Sequence, residues 1–192
     1  MHKIKMLGAV TMALFAFAYI AYQVTNWKIK DDYSVTVYQG GSKFVQFRGL
    51  QAVLLFDEND PGRSAISASI DAGSLDCEGN QALKDGARQP DALDVAQYPV
   101  ISFKSTSISR RDSAATGVFK MVLFAPGVTP EFRYQATGDL TIKGVTRQIK
   151  IPFVFEGEVF SGGFTIDPKE YNITSVHFQK NLNIVLRVPV SK

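Results

Sequence analysis

Cysteine is nearly absent: Cys77 is the only one in 192 residues, which excludes an intramolecular disulfide and a cysteine-based zinc site. It stands in the polar stretch Leu75-Asp76-Cys77-Glu78-Gly79, which predicts an exposed structural residue. Its acidic neighbours offer nothing that would lower the thiol pKa toward that of a nucleophile. Histidine is almost as scarce, with only His2 and His177, so a histidine-rich metal site is excluded by number. A Ser-His-Asp arrangement would have to use His177, and no nucleophile motif stands near it. Asp57-Glu58-Asn59-Asp60, ahead of Pro61-Gly62, lacks calcium-loop spacing and reads as a solvated turn. With no acid, base, nucleophile, metal or cofactor to name, the chain reads as a binding protein and not as an enzyme.

An excess of charge of one sign is missing too. The formal balance is +3, but Lys3 and Lys5 supply two of those positives. Beyond residue 26 the chain carries 19 basic residues against 18 acidic ones. No basic run exists that would track a phosphate backbone, so nucleic acid is excluded as a partner. Apolar residues make up 45% and charged residues 20%, which excludes disorder and a multi-pass membrane protein.

What the chain does have begins at the N-terminus. Two lysines precede Met6–Tyr22, a run of 17 uncharged residues. This is the layout of a secretory signal, with Ala16-Phe17-Ala18 as a cleavage site. It is also close to the shortest helix that crosses a bilayer, with Tyr19, Tyr22 and Trp27 as interfacial aromatics. Residues 1–26 are therefore expected to form a hydrophobic helix, either a signal peptide or an uncleaved membrane anchor. The remaining chain, 27–192, is then on the outer, periplasmic side of the cytoplasmic membrane.

From Trp27 onward the period is two, the mark of half-buried strands. Ile66, Ala68 and Ile70 alternate with Ser67, Ser69 and Asp71. Phe132, Tyr134, Ala136, Leu140 and Ile142 form a second apolar set. Val145, Ile149, Ile151, Phe153 and Phe155 form a third, and Leu182, Ile184, Leu186, Val188 and Val190 a fourth. Turn signals separate the runs at Gly40-Gly41, Asp57–Gly62, Asp112–Gly117, Pro126-Gly127, Gly162-Gly163 and Asp167-Pro168. Lys143-Gly144 reads as a two-residue hairpin loop. Asn80–Val95 is polar, contains Pro90 and is expected to be an irregular or briefly helical crossover. The class is all-β, as a sandwich or a meandering barrel. The 14 Phe and 7 Tyr lie mostly in the strands. Pattern alone does not separate an eight-stranded barrel filled with side chains from one hollow enough for a ligand, and an aromatic stripe at strand spacing is more often plain core.

Two segments resemble a known family. Tyr98-Pro99-Val100-Ile101-Ser102-Phe103-Lys104-Ser105-Thr106 is similar to the pattern YP-x-I-x-F-x-S-T. Gly138-Asp139-Leu140-Thr141-Ile142-Lys143-Gly144-Val145-Thr146, followed by Arg147, is similar to G-x-LTI-KGVT and a basic residue. Both resemble the YceI-like family of exported bacterial proteins, and the likeness runs from about Trp27 to Lys192. The resemblance implies a single antiparallel, eight-stranded, lipocalin-like barrel. It also implies an elongated apolar interior that binds a polyisoprenoid, a quinone or a similar amphiphilic lipid. The chain departs from the family pattern in two places. Ala92-Leu93 stands where an aromatic pair is common, and Pro168-Lys169-Glu170-Tyr171-Asn172-Ile173 replaces an R-x-D-F-G-I string.

On this reading the faces Ile66/Ile70, Ile101/Phe103, Phe132/Tyr134 and Phe153/Phe155 point into the barrel and line the ligand site. Lys143 and Arg147 are either two cations at the mouth for a phosphorylated head group or solvent-facing residues flanking a hairpin. Two functions compete: a lipid carrier, buffer or sensor in the cell envelope, and a filled barrel serving as a structural or interaction module. A continuous cavity separates the first from the second.

Overall fold

The structure, a computed structural model, describes residues 25–111 and 131–192. The uncharged run Met6–Tyr22 and the turn signals at Asp112–Gly117 and Pro126-Gly127 lie outside them, whereas Thr25 and Asn26 at the end of the N-terminal segment begin a strand and Trp27 is buried in the core. Among the described residues no helix is long and apolar enough to cross a membrane.

Eleven strand segments build one closed antiparallel barrel. They are β1 (Thr25–Ile29), β2 (Ser34–Gln39), β3 (Ser42–Phe47), β4 (Leu50–Phe56), β5 (Ala65–Asp71), β6 (Leu75–Asp76), β7 (Val100–Arg110), β8 (Tyr134–Ile142), β9 (Val145–Glu156), β10 (Val159–Ile166) and β11 (Leu182–Ser191). The first six are three long strands, each broken once. Both β1 and β2 pair with β11, through Ile29 opposite Val190 and Ser34 opposite Arg187. In the same way β3 and β4 pair with β2 and β1, and β6 and β5 pair with β3 and β4. The result is an eight-stranded up-and-down barrel, closed where β1 meets β11. Closure removes the free sheet edges that an open meander would expose.

The three breaks lie side by side and are laced together. The hydroxyl of Tyr33 donates to the Arg48 carbonyl and accepts from the Leu50 amide at 2.9 Å. The hydroxyl of Ser74 accepts from the Gly49 amide at 2.9 Å and donates to the Asp71 carbonyl at 2.6 Å. Gly49 has to be glycine, because a Cβ there would stand 2.8 Å from Cβ of Asp71. These side chains supply partners for backbone groups that the interrupted ladders leave unpaired.

We call the end bearing the first residue of β1 the base and the opposite end the crown. At the crown the Lys143-Gly144 hairpin is a two-residue loop in which both residues have positive φ, 50° and 73°. The crossover contains one short helix, α1 (Gln81–Ala87), whose N-cap Asn80 accepts from the Leu83 amide at 3.0 Å. Gly162-Gly163 is not a turn: both glycines lie inside β10. The chain reverses earlier, at Gly157-Glu158, where φ is 54° and 61°. Gly162 serves close approach instead, since a Cβ there would lie 3.0 Å from the Pro152 carbonyl oxygen.

Candidate functional site

The inner faces follow the alternation, but they do not fill the barrel. An apolar cavity runs between β-strand walls and under the crown, with about 1370 Å³ of atom-free volume including its mouth. About 160 Å³ of this is roomy enough to take the centre of a water molecule. Packed cores hold few voids larger than one water. Along β11 the cavity wall runs from Leu182 through Ile184 and Leu186 to Val188. At about 3.3 Å per residue that is roughly 20 Å of strand. The room comes from small residues at inward positions. Ala52 and Ala68 face each other across β4 and β5, and Ala136 follows on β8.

The crown roofs the cavity with Ala87, Leu93, Ile173 and Phe178. The two crown segments hold each other: the Asp91 carbonyl accepts from the amides of Thr174 and Ser175 at 2.8 and 2.9 Å. Side chains clip them to the barrel. Lys143 Nζ donates to the carbonyls of Pro90 and Asn172 at 2.5 and 2.8 Å. Gln39 Nε2 donates to the His177 carbonyl at 3.0 Å. Leu93, in the dipeptide that departs from the family pattern, is thus part of the roof.

The base is packed with six aromatic rings. Phe56 meets Tyr134, Phe153 and Phe155 at centroid separations of 5.0, 5.7 and 5.3 Å. Trp27 lies 4.7 Å from Phe155, and Phe160 lies 4.8 Å from Phe153. Phe160 also forms the floor of the cavity.

The sequence-derived site divides accordingly. Ile66, Ile70, Ile101 and Phe103 line the cavity. Tyr134 and Phe153 are buried and Phe155 is partly buried, but all three belong to the aromatic base and not to the wall. Phe132 precedes β8 and packs in a separate cluster with Val154, Val185 and Tyr38. Val185 lies between the inward-facing Ile184 and Leu186, so this cluster is on the outer surface of the barrel. Lys143 is engaged as the crown clip, its ammonium on the two carbonyl oxygens of Pro90 and Asn172. Cys77 is buried and not exposed. Burial, and then the neighbouring Asp76 carboxylate, push its thiol pKa up. The cavity wall also includes Val35, Phe47 and Ile184 from β2, β3 and β11, which the sequence-derived set does not contain.

One side of the wall is split. β9 and β10 pair only from Phe153–Glu156 to Val159–Gly162, whereas β9 extends back to Val145 and β10 on to Ile166. Pro152 stops the ladder: its carbonyl faces Gly162 of β10, so the amide it lacks is missing on that side. The turn Pro168–Tyr171 and the residues after it cross the gap, from the end of β10 to the β8–β9 hairpin, where Lys143 holds Asn172. Asn172 takes the left-handed φ of 56°. Tyr171 is 1% exposed, and its hydroxyl has no hydrogen-bond partner among the described residues. Burial is the main cause that pushes its pKa up to about 12, with Glu170 adding to the rise and Arg147 opposing it. Arg147 stands opposite Leu140, at an inward position of β9, yet is exposed because the wall is open there.

Comparison with known proteins agrees with this architecture. A UPF0312 protein of Ectopseudomonas mendocina is 28% identical over 139 residues, which cover 67% of this chain and 62% of that protein. Burkholderia cenocepacia BcnA superposes with a TM-score of 0.60 at 21% identity, over 83% of this chain and 95% of BcnA. A polyisoprenoid-binding domain from Saccharophagus degradans, implicated in plant cell wall breakdown, superposes with a TM-score of 0.53 at 12% identity, over 88% of this chain and all of that domain. Identities this low show the fold alone. The family model of the YceI-like domain matches residues 21–190, and the chain accordingly belongs to the YceI-like family.

Proposed function

We propose that the protein binds a long apolar lipid of isoprenoid type inside the barrel, as a non-enzymatic carrier, buffer or sensor. The observation that carries this reading is the cavity, whose wall is apolar throughout. Each CH₂ withdrawn from water contributes about 0.8 kcal/mol, so a chain of several isoprene units gains strongly from enclosure. Branched and aromatic walls accept such a chain without polar contacts. A filled barrel would show ordinary packing from base to crown, and the apolar cavity under the crown speaks for the hollow alternative. The Saccharophagus degradans domain, described as polyisoprenoid-binding, shares the fold and supports the same ligand class.

The reading places the domain on the periplasmic side of the cytoplasmic membrane, tethered or released by its N-terminal segment. Its support is the order of Lys3, Lys5 and the uncharged run Met6–Tyr22. An alkaline phosphatase fusion after Lys192 is expected to be active, and an inactive fusion with intact cytosolic protein rejects the location. For the ligand, mass spectrometry of organic extracts from protein purified out of its native host is expected to show a prenyl lipid in about equimolar amount. Protein that carries no lipid, and binds no fluorescent prenyl lipid when offered it, rejects the function.

A further inference from the structure

The cavity is floored by rings at the base and roofed at the crown, so a guest needs a way in. The weakest seam of the wall is the split between β9 and β10. Four residue pairs join these strands, against nine between β8 and β9 and eight between β10 and β11. Crownward of Phe153 and Gly162, no ladder has to break for the two strands to part. Ile151 of β9 and Phe164 of β10 flank the split and both belong to the cavity wall, so the split gives directly onto the cavity. The other interruption of the wall, at the three strand breaks, is laced by the hydroxyls of Tyr33 and Ser74.

The strap Pro168–Ile173 fills the split. Its side chains Pro168, Tyr171 and Ile173 are fully buried and act as plugs. Its backbone hydrogen bonds are internal: Ile173 donates to the Pro168 carbonyl at 3.1 Å, and Asn172 to the Lys169 carbonyl at 3.2 Å. Among the described residues no backbone hydrogen bond joins the strap to β9 or β10. Across the split it is held by Lys143, which donates to the Asn172 carbonyl at 2.8 Å. A self-bonded turn seated by its side chains can leave as a unit, without unravelling. In the closed position the Tyr171 hydroxyl is buried with no hydrogen-bond partner among the described residues. A buried donor in that state weighs against the closed form, and swinging out gives it water.

We propose that the split between β9 and β10 is a lateral portal to the cavity, with the strap Pro168–Ile173 as its gate. This rests on the lipid-binding reading above and adds the route by which a lipid enters and leaves. When the strap swings out, an apolar chain passes sideways between Ile151 and Phe164, while the crossover with α1 and Leu93 stays in place. The strap opposes passage equally in both directions. It therefore sets the rates of loading and release and leaves the affinity nearly unchanged.

The test uses the full chain and the kinetics of uptake and release of a fluorescent prenyl lipid. Arg147 and Glu170 are both exposed, and the charges of both act on the Tyr171 phenol, so they stand close together across the edge of the split. In a Cys77→Ser background, Arg147→Cys and Glu170→Cys joined by a short bismaleimide tie the strap to β9. The tie is expected to slow both uptake and release by more than about tenfold. The Kd should change by less than about twofold, since the barrier rises equally for both directions. Tyr171→Phe keeps the ring and removes the hydroxyl, so it favours the closed strap. It is expected to raise the melting temperature and to slow exchange several-fold in both directions. Reaction of the buried Cys77 with a disulfide reagent reports lifting of the crown, and in Tyr171→Phe it should stay within about twofold of wild type. Lipid exchange at the wild-type rate in the tied protein rejects the portal and leaves the cavity reading standing. Slowing of lipid exchange and of Cys77 labelling by one common factor assigns entry to lifting of the whole crown and also rejects it. If wild type takes up no lipid, the cavity reading fails and the portal with it.

Discussion

The base and the crown obey the same strand alternation and end in opposite states. At the base, inward positions carry Trp27, Phe56, Tyr134, Phe153 and Phe155, and the rings meet in edge and stacked contacts. Toward the crown, inward positions carry Ala52, Ala68, Ala136 and branched aliphatics, and a cavity remains. The period of the pattern decides which face is inside, while side-chain volume decides whether that inside is full. A barrel of eight strands is near the size at which either outcome is available. In this chain both outcomes occur, one at each end, so the aromatic half anchors the fold and the aliphatic half is free to hold a guest.

The largest expected contrast comes from deleting volume at the base. Phe153 is fully buried and contacts Phe56, Tyr134 and Phe160. Phe153→Ala is expected to cost about 3–5 kcal/mol, read as a large fall in melting temperature. A fall equivalent to less than about 1 kcal/mol would mean that the base is as loose as the crown. The converse is adding volume to the cavity. Ala136→Phe and Ile70→Trp place bulk where there is space, so each should cost less than the ~1–3 kcal/mol of overpacking a full core. Both are expected to weaken binding of a fluorescent prenyl lipid by more than about tenfold, through lost cavity length. Marked destabilisation by both would show that the space is closed in solution.

The roof gives an intermediate effect. Lys143 donates two hydrogen bonds across the rim, so Lys143→Met removes the charge and both bonds while keeping most of the stem. The site is partly exposed, and water replaces part of what is lost. The expected cost is therefore about 1 kcal/mol, below the range for buried charged groups. Hydrogen exchange of the amides of Thr174 and Ser175 should quicken, while exchange along β8 and β9 at the base stays unchanged. Equal acceleration at both ends would deny the crown its independence as a lid.

Much of the fold can be read in the sequence because period-two patterns survive in several long strands, from Ile66-Ala68-Ile70 to Leu182–Val190. The errors have a common physical origin. Gly162-Gly163 has turn composition, but the backbone there needs closeness to Pro152, and composition does not separate the two uses of glycine. Phe132 continues the alternation on paper, yet the strand begins at Tyr134 and the ring turns to the outer surface. Cys77 has acidic neighbours in the chain and apolar neighbours in space. At the candidate site, inward faces are visible as alternation, whereas the split between β9 and β10 is a tertiary event with one local sign, Pro152. The hydroxyl of Tyr171, without a partner among the described residues, has no sign in sequence at all, since it depends on what packs around it.

Cys77 offers the finest test of the difference between the two ends. Its thiol is buried next to the crown crossover, near enough to Lys84 and Arg88 for their charges to act on it, and its pKa is raised chiefly by burial. Thiolate is the reactive form, so the native protein at pH 8 is expected to react with a disulfide reagent far more slowly than a free thiol. Reaction then requires local opening, and its rate measures how often the crown lifts. Lys143→Met should speed labelling several-fold, by the loss of a clip worth about 1 kcal/mol. Ala136→Phe, deep in the cavity, should leave the rate close to wild type. Replacement by Cys77→Ser is expected to cost only about 1 kcal/mol, because a hydroxyl buried without a partner is slightly worse than a thiol. Labelling of the wild type at the rate of an unfolded peptide would place the thiol in solvent and remove the crown's seal over this side of the barrel.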